Sequence, residues 1–220
     1  MIITIDGPAG SGKSTVAKEL AGRLHIAYLD TGATYRAVTW AALSRRANMD
    51  DESALLDIAR QADIRLIPGP QGLRVELDGT DVSREIRTAA VSDNVHYVAR
   101  PPRVRQVLVE LQRRIGAEMG SFVAEGRDQG SVVFPQADVK FYLDASAEVR
   151  AQRRYKEMVA AGQQVVYEGI LRGIVQRDQR DRSRPVAPLV KPDGAIEIDT
   201  SNMTVEQVTA ELLRHVEARR

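Results

Sequence analysis

The residues from Gly7 to Ser14 have the composition and spacing of a phosphate-binding loop. They read Gly-Pro-Ala-Gly-Ser-Gly-Lys-Ser and match the pattern G-x-x-x-x-G-K-[ST] in full. A short β-branched run at residues 2–5 precedes the loop, and a helical pattern with Val16, Leu20 and Leu24 follows it. This is the strand–loop–helix context in which the motif binds phosphate, whereas a glycine-rich turn that only joins a strand to a helix is the alternative.

The chemistry of such a loop follows from its residue types. Glycines let backbone N–H groups turn inward around a phosphate, and the N-terminus of the following helix adds partial positive charge. We expect Lys13 to reach the β- and γ-phosphates of a nucleoside triphosphate and Ser14 Oγ to ligate Mg²⁺. The positions that we assign to the ATP phosphates are Gly7, Pro8, Ala9, Gly10, Ser11, Gly12, Lys13, Ser14 and Thr15.

A phosphate-binding loop does not by itself name a reaction, and three classes of protein use one. A GTPase switch should carry an N-K-x-D guanine-reading motif, and the sequence has none. The chain is short for a motor-type ATPase. An insertion early in the fold and arginine clusters late in it favour a small-molecule kinase that closes over two nucleotides, because cations must offset the charges of two phosphate chains in the transition state.

Two further segments place polar residues where strands are predicted to end. Asp30-Thr31-Gly32-Ala33-Thr34-Tyr35-Arg36 lies at a strand-to-helix turn, where Thr31 is predicted to cap the helix and Arg36 to point back toward an anion. The alternative is a capped helix with a surface arginine. Gly126-Arg127-Asp128-Gln129-Gly130 follows a second strand, and ligands bind at the carboxyl ends of parallel strands. This segment is either a substrate contact or a salt-bridged turn.

The last third of the chain is rich in arginine. Arg177, Asp181 and Arg184 are spaced at i, i+4 and i+7, which is one face of a helix. Such a face belongs either to a solvated helical hairpin or to a mobile lid that delivers arginines to phosphates, and the phosphate-binding loop favours the lid. Arg103 and Arg105 open another helix with cations at its N-terminus, where the helix dipole disfavours them. A role in holding a ligand would explain why these two arginines lie at the helix N-terminus.

Composition limits the remaining classes. The 220 residues are 43% hydrophobic and 28% charged, which is typical of a globular chain. Thirty-one basic and thirty acidic residues give a net charge of +1, which argues against binding to nucleic acid. The absence of cysteine excludes disulfides, thiolate catalysis and cysteine-ligated zinc. No run of about 18 apolar residues and no signal peptide is present, so we expect no membrane span and a cytoplasmic location.

Strands that alternate with helices predict the fold. We expect an α/β protein of the P-loop NTPase type, with three layers (α/β/α), a parallel central sheet, a small antiparallel insertion and a helical lid. Hairpin signals around Pro68-Gly69-Pro70 and Gly72 mark the insertion. The predicted boundaries are a core of residues 1–62, 94–154 and 186–220, an insertion of about 63–93 and a lid of about 155–185.

Core strands are expected near residues 2–5, 26–29, 121–125, 139–143 and 195–198. Helices are expected at about 13–24, 31–45, 51–61, 88–98, 102–116, 146–159 and 167–182, and after the capping box that begins at Thr204.

Taken together, the motifs resemble those of the bacterial cytidylate kinases. The resemblance runs in order through nearly the whole chain and rests on IDGPAGSGKST, DTGATYR, DVSREIRT, PRVR, EGRDQGSVVFPQADVKFYLDAS and RDQRDRSRPVAPL. It implies ATP-dependent, Mg²⁺-assisted phosphorylation of CMP and dCMP by direct in-line transfer. It also implies that the small antiparallel insertion binds the nucleoside monophosphate and that the helical segment is a lid. The alternatives are another P-loop small-molecule kinase, acting on UMP, AMP or a non-nucleotide acceptor, and a non-catalytic nucleotide- or RNA-binding module. We expect a monomer, since no long apolar helix face is left over.

The resemblance also implies roles for residues outside the phosphate-binding loop. Thr31 takes a position near the substrate, and Arg36 and Arg127 take the positions that hold the CMP phosphate. Around the cytosine base the matching residues are Arg105, Asp128 and Arg184.

For the ribose and for ATP the matches are fewer. Asp181 matches the acid near the ribose hydroxyls, supported by Arg177, and Arg153 takes a lid position near the ATP phosphates. The expected catalytic residues are Lys13, Arg127 and Arg177. Two positions depart from the family pattern, which usually has Ser in place of His96 and Asp in place of Glu125, and neither is assigned a role.

Overall fold

The computed structural model describes residues 1–69 and 72–219. The strands are β1 (Ile2–Asp6), β2 (Ala27–Asp30), β3 (Ile64–Gly69), β4 (Gly72–Leu77), β5 (Thr80–Asp81), β6 (Phe122–Gly126), β7 (Val139–Asp144) and β8 (Ile196–Asp199). The helices are α1 (Lys13–Leu24), α2 (Thr31–Ser44), α3 (Glu52–Gln61), α4 (Ala89–Ala99), α5 (Pro102–Met119), α6 (Ala147–Ala160), α7 (Tyr167–Arg182) and α8 (Val205–Glu217). Within these described residues, no helix is both long and apolar enough to cross a membrane.

The chain packs as two compact units. The first comprises Met1–Ile26 and Val123–Arg220, and the second comprises Ala27–Phe122. The first unit therefore contains the phosphate-binding loop together with α6 and α7, and the second contains the antiparallel strands together with helices α2 to α5.

Parallel strands form the centre of the first unit. Strands β6, β1, β7 and β8 lie side by side in that order. The register pairs Ile3 with Val139 and Phe141 with Ile196, in parallel. The side chains of Ile3 and Phe141 have no exposed surface. A buried apolar run on β1 explains why this strand occupies the interior of the sheet, and the loop that follows it starts at the strand's carboxyl end.

Helices α1 and α8 pack on one another in the first unit. Helix α8 begins at the predicted capping box, in which Thr204 Oγ1 accepts from Gln207 N and Gln207 Oε1 accepts from Thr204 N. After β6 the chain makes one π-helical turn over Gln129–Val133. No sequence pattern predicted this turn. Its first two residues donate their backbone N–H groups to a carboxylate of β1, described below.

The second unit combines helices with a small antiparallel sheet. Strands β3, β4 and β5 pair in that order, with Ile64 opposite Leu77. The hairpin predicted for this region is confirmed, although its turn residues Pro70 and Gln71 lie outside the described residues. Val75 and Leu77 are buried and anchor the sheet. Helix α2 packs against α3, α4 and α5 in the same unit.

The predicted α/β class, the parallel central sheet and the small antiparallel sheet are confirmed, with most element ends within one residue of prediction. One local prediction is wrong. Thr31 does not cap α2, because Asp30 occupies the cap position and its Oδ1 accepts from Ala33 N at 3.0 Å. Thr31 is instead the first helical residue, and its carbonyl accepts from Thr34 Oγ1 at 2.8 Å.

Candidate active site

The phosphate-binding loop lies between β1 and α1, as predicted. Gly7 has φ of 149°, and a Cβ atom there would lie 2.0 Å from the carbonyl oxygen of Leu143 on β7. Only glycine therefore fits at the point where the loop leaves the sheet. Gly12, at φ 90°, is the residue immediately before α1, so the loop ends at a helix N-terminus. The backbone N–H groups of such an end have no intrahelical partner and suit an anion.

Lys13 lies inside this loop and is 5% exposed. Its Nζ donates to the Pro8 carbonyl at 2.6 Å. Burial, together with the positive charges of Arg127 and Arg177, lowers the pKa of Lys13 from 10.5 to about 7, although the negative charge of Glu125 opposes this shift. The structure thus brings the three predicted catalytic residues of the first unit near one another. Because burial and neighbouring cations lower the pKa of Lys13, a bound anion would stabilise its charged form.

Glu125 is a site residue that the sequence analysis left without a role. It is the last residue but one of β6, is 6% exposed, and accepts from Ser14 Oγ through Oε1 at 2.6 Å. The signal in the sequence that could have identified Glu125 was a single acidic residue at the carboxyl end of a buried strand. The longer side chain, in place of the family's usual Asp, still reaches the hydroxyl of the loop.

Arg127, Asp181 and Arg184 form one buried ionic cluster. Arg127 Nε donates to Asp181 Oδ2 at 2.9 Å, and Arg184 Nη2 donates to Asp181 Oδ1. Burial on its own would raise the pKa of Asp181, but the charges of Arg127, Arg184 and Arg177 hold it below its usual value. The segment that contains Arg127 is therefore salt-bridged, and its partner comes from α7 rather than from the same turn.

Asp128 follows Arg127 directly and is 3% exposed. Its carbonyl accepts from Val132 N at 2.9 Å and from Val133 N at 3.1 Å, so the residue opens the π-helical turn. A π-helical turn inside a protein is commonly found at a functional site.

Asp6, the last residue of β1, positions this same turn. It has no exposed surface, and its two carboxyl oxygens accept from Gln129 N at 2.8 Å and from Gly130 N at 2.7 Å. Burial raises the pKa of Asp6 to about 7, although the two backbone N–H groups oppose the rise. Asp6 therefore joins the start of the phosphate-binding loop to the segment that carries Arg127 and Asp128. The sequence analysis did not single it out.

The raised pKa of Asp6 predicts a specific pH dependence of stability. Because the folded state holds this proton more tightly than the unfolded state, the free energy of unfolding should fall as the pH rises from about 4 to about 7. At roughly 1.4 kcal/mol per pKa unit, the fall contributed by Asp6 is on the order of 4 kcal/mol. Urea unfolding of the wild type and of Asp6→Asn across this range measures it. The difference between the two proteins should shrink with rising pH, and a difference independent of pH would contradict the assignment.

Arg153 lies on α6 in the first unit, where its guanidinium group contacts Thr200. Its Nη1 donates to Thr200 Oγ1 at 3.1 Å and its Nη2 to the Thr200 carbonyl at 2.5 Å. Thr200 Oγ1 in turn lies 3.3 Å from the carbonyl of Ser11 in the phosphate-binding loop. The residue is thus linked to the loop through Thr200, and its predicted contact with ATP phosphates stays a prediction.

In the second unit, predicted and unpredicted residues gather at the start of α2. Within the described part of the chain, Arg36 Nε is buried and has no hydrogen-bond partner. Its Nη2 lies beside Gly32 in the first turn of the helix. Arg87, which the sequence analysis did not select, lies 3.4 Å from the Asp30 carboxylate that caps the helix. Two guanidinium groups and a helix N-terminus make this an anion-binding arrangement.

Arg105 and His96 also lie in the second unit. Arg105 is 3% exposed, donates to the Ala99 carbonyl at 3.2 Å, and holds its guanidinium carbon 5.4 Å from the centre of the Tyr35 ring. His96 Nδ1 lies 2.8 Å from the Asp93 carbonyl, and since a carbonyl only accepts, this nitrogen carries the proton. Gln112 donates to Thr34 Oγ1 at 2.9 Å and so ties α5 to the first turn of α2.

Known proteins of similar sequence point to one family. A family model described as cytidylate kinase matches residues 3–218. A cytidylate kinase from Carboxydothermus hydrogenoformans is 48% identical over 97% of this chain and 96% of that protein. A cytidylate kinase from Desulforamulus reducens is 50% identical over 98% of this chain and 96% of that protein.

Comparison of solved structures agrees at the level of the fold. A shikimate kinase from Bacteroides thetaiotaomicron superposes with a TM-score of 0.51 over 99% of this chain and 98% of its own, at 13% identity. At that identity the likeness concerns the fold alone. The sequence matches, in contrast, extend over almost the entire chain and include the phosphate-binding loop. This chain belongs to the cytidylate kinase family.

Proposed function

We propose that the protein transfers the γ-phosphoryl group of ATP to CMP and dCMP, giving CDP or dCDP and ADP. The observation that carries this proposal is the buried Lys13 in a complete phosphate-binding loop, with Arg127 and Arg177 close enough to lower its pKa, in a chain of the cytidylate kinase family. Phosphoryl transfer needs positioning and charge stabilisation rather than a covalent enzyme intermediate. A concentration of positive charge beside a loop that wraps a triphosphate supplies both.

The residues that we assign to the substrates fall in both units. For the ATP phosphates they are residues 7–15, with Arg153 as the contribution from α6. For CMP we assign, from the family match, Thr31, Arg36, Arg105, Arg127, Asp128, Asp181 and Arg184. Support comes from the family match, from the unpartnered buried Nε of Arg36 among the described residues, and from the burial of Arg105 against Tyr35. We further propose the monomer as the active species.

We propose that Mg²⁺ accompanies ATP, with Ser14 as its protein ligand. The hydroxyl of Ser14 and the carboxylate of Glu125, in contact at 2.6 Å, are the hard oxygen donors that this ion takes. No group of three or more His, Cys, Asp or Glu in residues 1–69 and 72–219 could hold a metal, but Mg²⁺ is usually bound through one or two protein oxygens, with water and phosphate oxygens besides. When bound, the ion neutralises part of the phosphate charge.

The acceptor of the reaction is already ionised, so no strong general base is required. Lys13 would neutralise charge on the transferred group, Arg127 would bind the acceptor phosphate, and Arg177 would offset the charge between them. We propose that residues of about 155–185 form a lid that excludes water, which would otherwise accept the phosphoryl group. The insertion of about 63–93 would complete the nucleoside monophosphate site, and residues 1–62, 94–154 and 186–220 would form the core.

A panel of acceptors at fixed Mg-ATP tests the proposed function. CMP and dCMP should each be converted to the diphosphate, whereas UMP, AMP and shikimate should give little product by chromatography. Conversion of another acceptor with no conversion of CMP would overturn the proposal. No product at all, together with RNA binding that weakens steeply with salt, would instead indicate a binding module.

A further inference from the structure

The side chains that helix α7 buries most completely are charged rather than apolar. Of its residues, Asp178 and Asp181 are the ones that are buried, at 8% and 4% exposed. Val175, on the same helix, is about half exposed. Buried carboxylates are costly unless they are paired, so the partners of these two residues determine where the helix lies. Asp181 pairs with Arg127 and Arg184, as described above, and Asp178 pairs with a residue that no motif assigned.

That residue is Arg150, in the first turn of α6. It is 3% exposed. Its Nη1 and Nη2 approach the two carboxylate oxygens of Asp178 at 3.1 and 2.5 Å, which is a bidentate pair. Its Nε donates to the Ala145 carbonyl at 2.8 Å. A cation in the first turn of a helix opposes the helix dipole, and the Asp178 carboxylate offsets that cost.

Arg150 also reaches the phosphate-binding loop. Nη1 donates to the Ala9 carbonyl at 3.0 Å. A Cβ atom on Gly10, the next residue, would lie 3.2 Å from the Cβ of Arg150, so the backbone of the loop and this side chain are in close approach. One planar guanidinium group therefore connects α6, α7 and the loop. Lysine carries one nitrogen and cannot meet three acceptors in fixed directions.

The contact with Ala9 has a consequence for the loop. In a trans peptide the C=O and N–H bonds point in opposite directions. A hydrogen bond that fixes the Ala9 carbonyl toward Arg150 therefore fixes the N–H of Gly10 away from it. Backbone N–H groups of this loop are the donors that a triphosphate would use. The orientation of one of these donors, the N–H of Gly10, therefore depends on Arg150.

We propose that Arg150 and Asp178 are positioning residues for phosphoryl transfer. Arg150 orients the Ala9–Gly10 peptide for the ATP phosphates, and Asp178 locks Arg150 in place while it ties α7, which carries Arg177 and Asp181, to the same loop. This inference rests on the proposed function, since the reaction is the one that the pair would serve. Neither residue touches the substrate in this proposal.

The experiment compares Arg150→Lys, Asp178→Asn and the double variant with a matched control pair. Arg214 and Glu211 lie on α8, 2.6 Å apart and outside the proposed site, with side chains 63% and 36% exposed, so Arg214→Lys and Glu211→Gln change the same chemistry without the buried contacts. The dissociation constant of Mg-ATP is measured by calorimetry, and KM and kcat are measured with ATP and with CMP as the varied substrate. Thermal unfolding of each variant is recorded in parallel.

We expect the two buried single variants to weaken Mg-ATP binding and to raise the KM for ATP about tenfold or more, because a small misplacement of a positioning group has a large effect. The KM for CMP should change less than about twofold, and the double variant should be no worse than Arg150→Lys, since the two residues act as a unit. The control variants should match the wild type. If Arg150→Lys fails to fold, the measurements on Asp178→Asn test the inference alone, because asparagine keeps the shape of the aspartate side chain.

Two outcomes overturn the inference. The first is that both buried variants bind Mg-ATP as tightly as the controls do. This would hold even if the melting temperatures of the buried variants fall, because the pair would then serve stability alone. The other is an equal rise in the KM for ATP and for CMP. A wild-type protein that binds Mg-ATP but does not phosphorylate CMP would refute the proposed function instead, and the calorimetric comparison would still test the positioning of the loop.

Discussion

Replacing Lys13 with methionine should lower kcat by about a thousandfold or more, because the substitution removes the cation at the point where charge develops on the transferred phosphoryl group. The fold should be retained. The pKa of Lys13 is lowered in the folded state, to about 7, so this lysine costs stability at pH values below its ordinary pKa of 10.5, and the cost is complete below about pH 7. Methionine keeps the aliphatic stem and removes this cost. Loss of activity together with equal or higher stability is the expected signature.

The measurement is a coupled assay of ADP formation at saturating CMP and ATP, with urea unfolding of the same preparation. Lys18→Met is the matched control, since Lys18 lies on the same helix with an exposed side chain, and it should retain wild-type activity. A Lys13→Met enzyme that keeps more than about a tenth of wild-type turnover would show that the loop does not act as proposed.

Replacing Arg127 with methionine should lower kcat/KM for CMP by about a thousandfold, with a much smaller effect on the KM for ATP. Arg127 is the proposed ligand of the acceptor phosphate, and its guanidinium is held by Asp181 at 2.9 Å. Loss of one partner of a buried ion pair also costs stability, typically about 3–5 kcal/mol. The cost should be smaller here, because Arg184 remains on the other oxygen of Asp181.

Steady-state kinetics with each substrate varied in turn, together with urea unfolding, separate these effects. Arg180→Met on α7 is the control, because Arg180 is exposed and lies on the same helix as Asp181. An equal loss of apparent affinity for ATP and CMP in Arg127→Met would contradict the assignment to the acceptor phosphate. A fall in stability with unchanged kinetics would assign Arg127 to docking of α7 alone.

Both predictions concern a site whose charges are arranged for a ligand. Lys13, Arg127 and Arg177 lie close enough for the two arginines to lower the pKa of the lysine. Like charges in proximity destabilise the fold, and at Lys13 the negative charge of Glu125 offsets only part of this cost. A bound polyphosphate would remove the remaining repulsion. The protein is therefore expected to gain stability from ATP beyond what its contacts alone suggest.

The sequence alone determined the parts of this protein that depend on short-range patterns. The phosphate-binding loop was identified because its glycines, Lys13 and Ser14 are consecutive and lie between a strand and a helix. Helix and strand positions followed from apolar periodicity, which reports the face that an element buries. The family resemblance was equally local, being a series of short motifs in order. The comparisons confirmed the family, while the substrate roles of individual side chains stay predictions.

The tertiary structure decided which distant side chains meet. Glu125 lies 111 positions from Ser14, Asp6 lies 124 from Gly130, and Arg150 pairs with Asp178 on another helix. Each of these contacts joins chain segments that come together only when the strands take their order in the sheet and the helices pack. Spacing in the sequence reports neighbours on one helix or strand, but the partner of a buried charge depends on packing between elements. For that reason the phosphate-binding loop could be predicted from its amino-acid sequence, whereas the charged side chains that hold the loop in place could not.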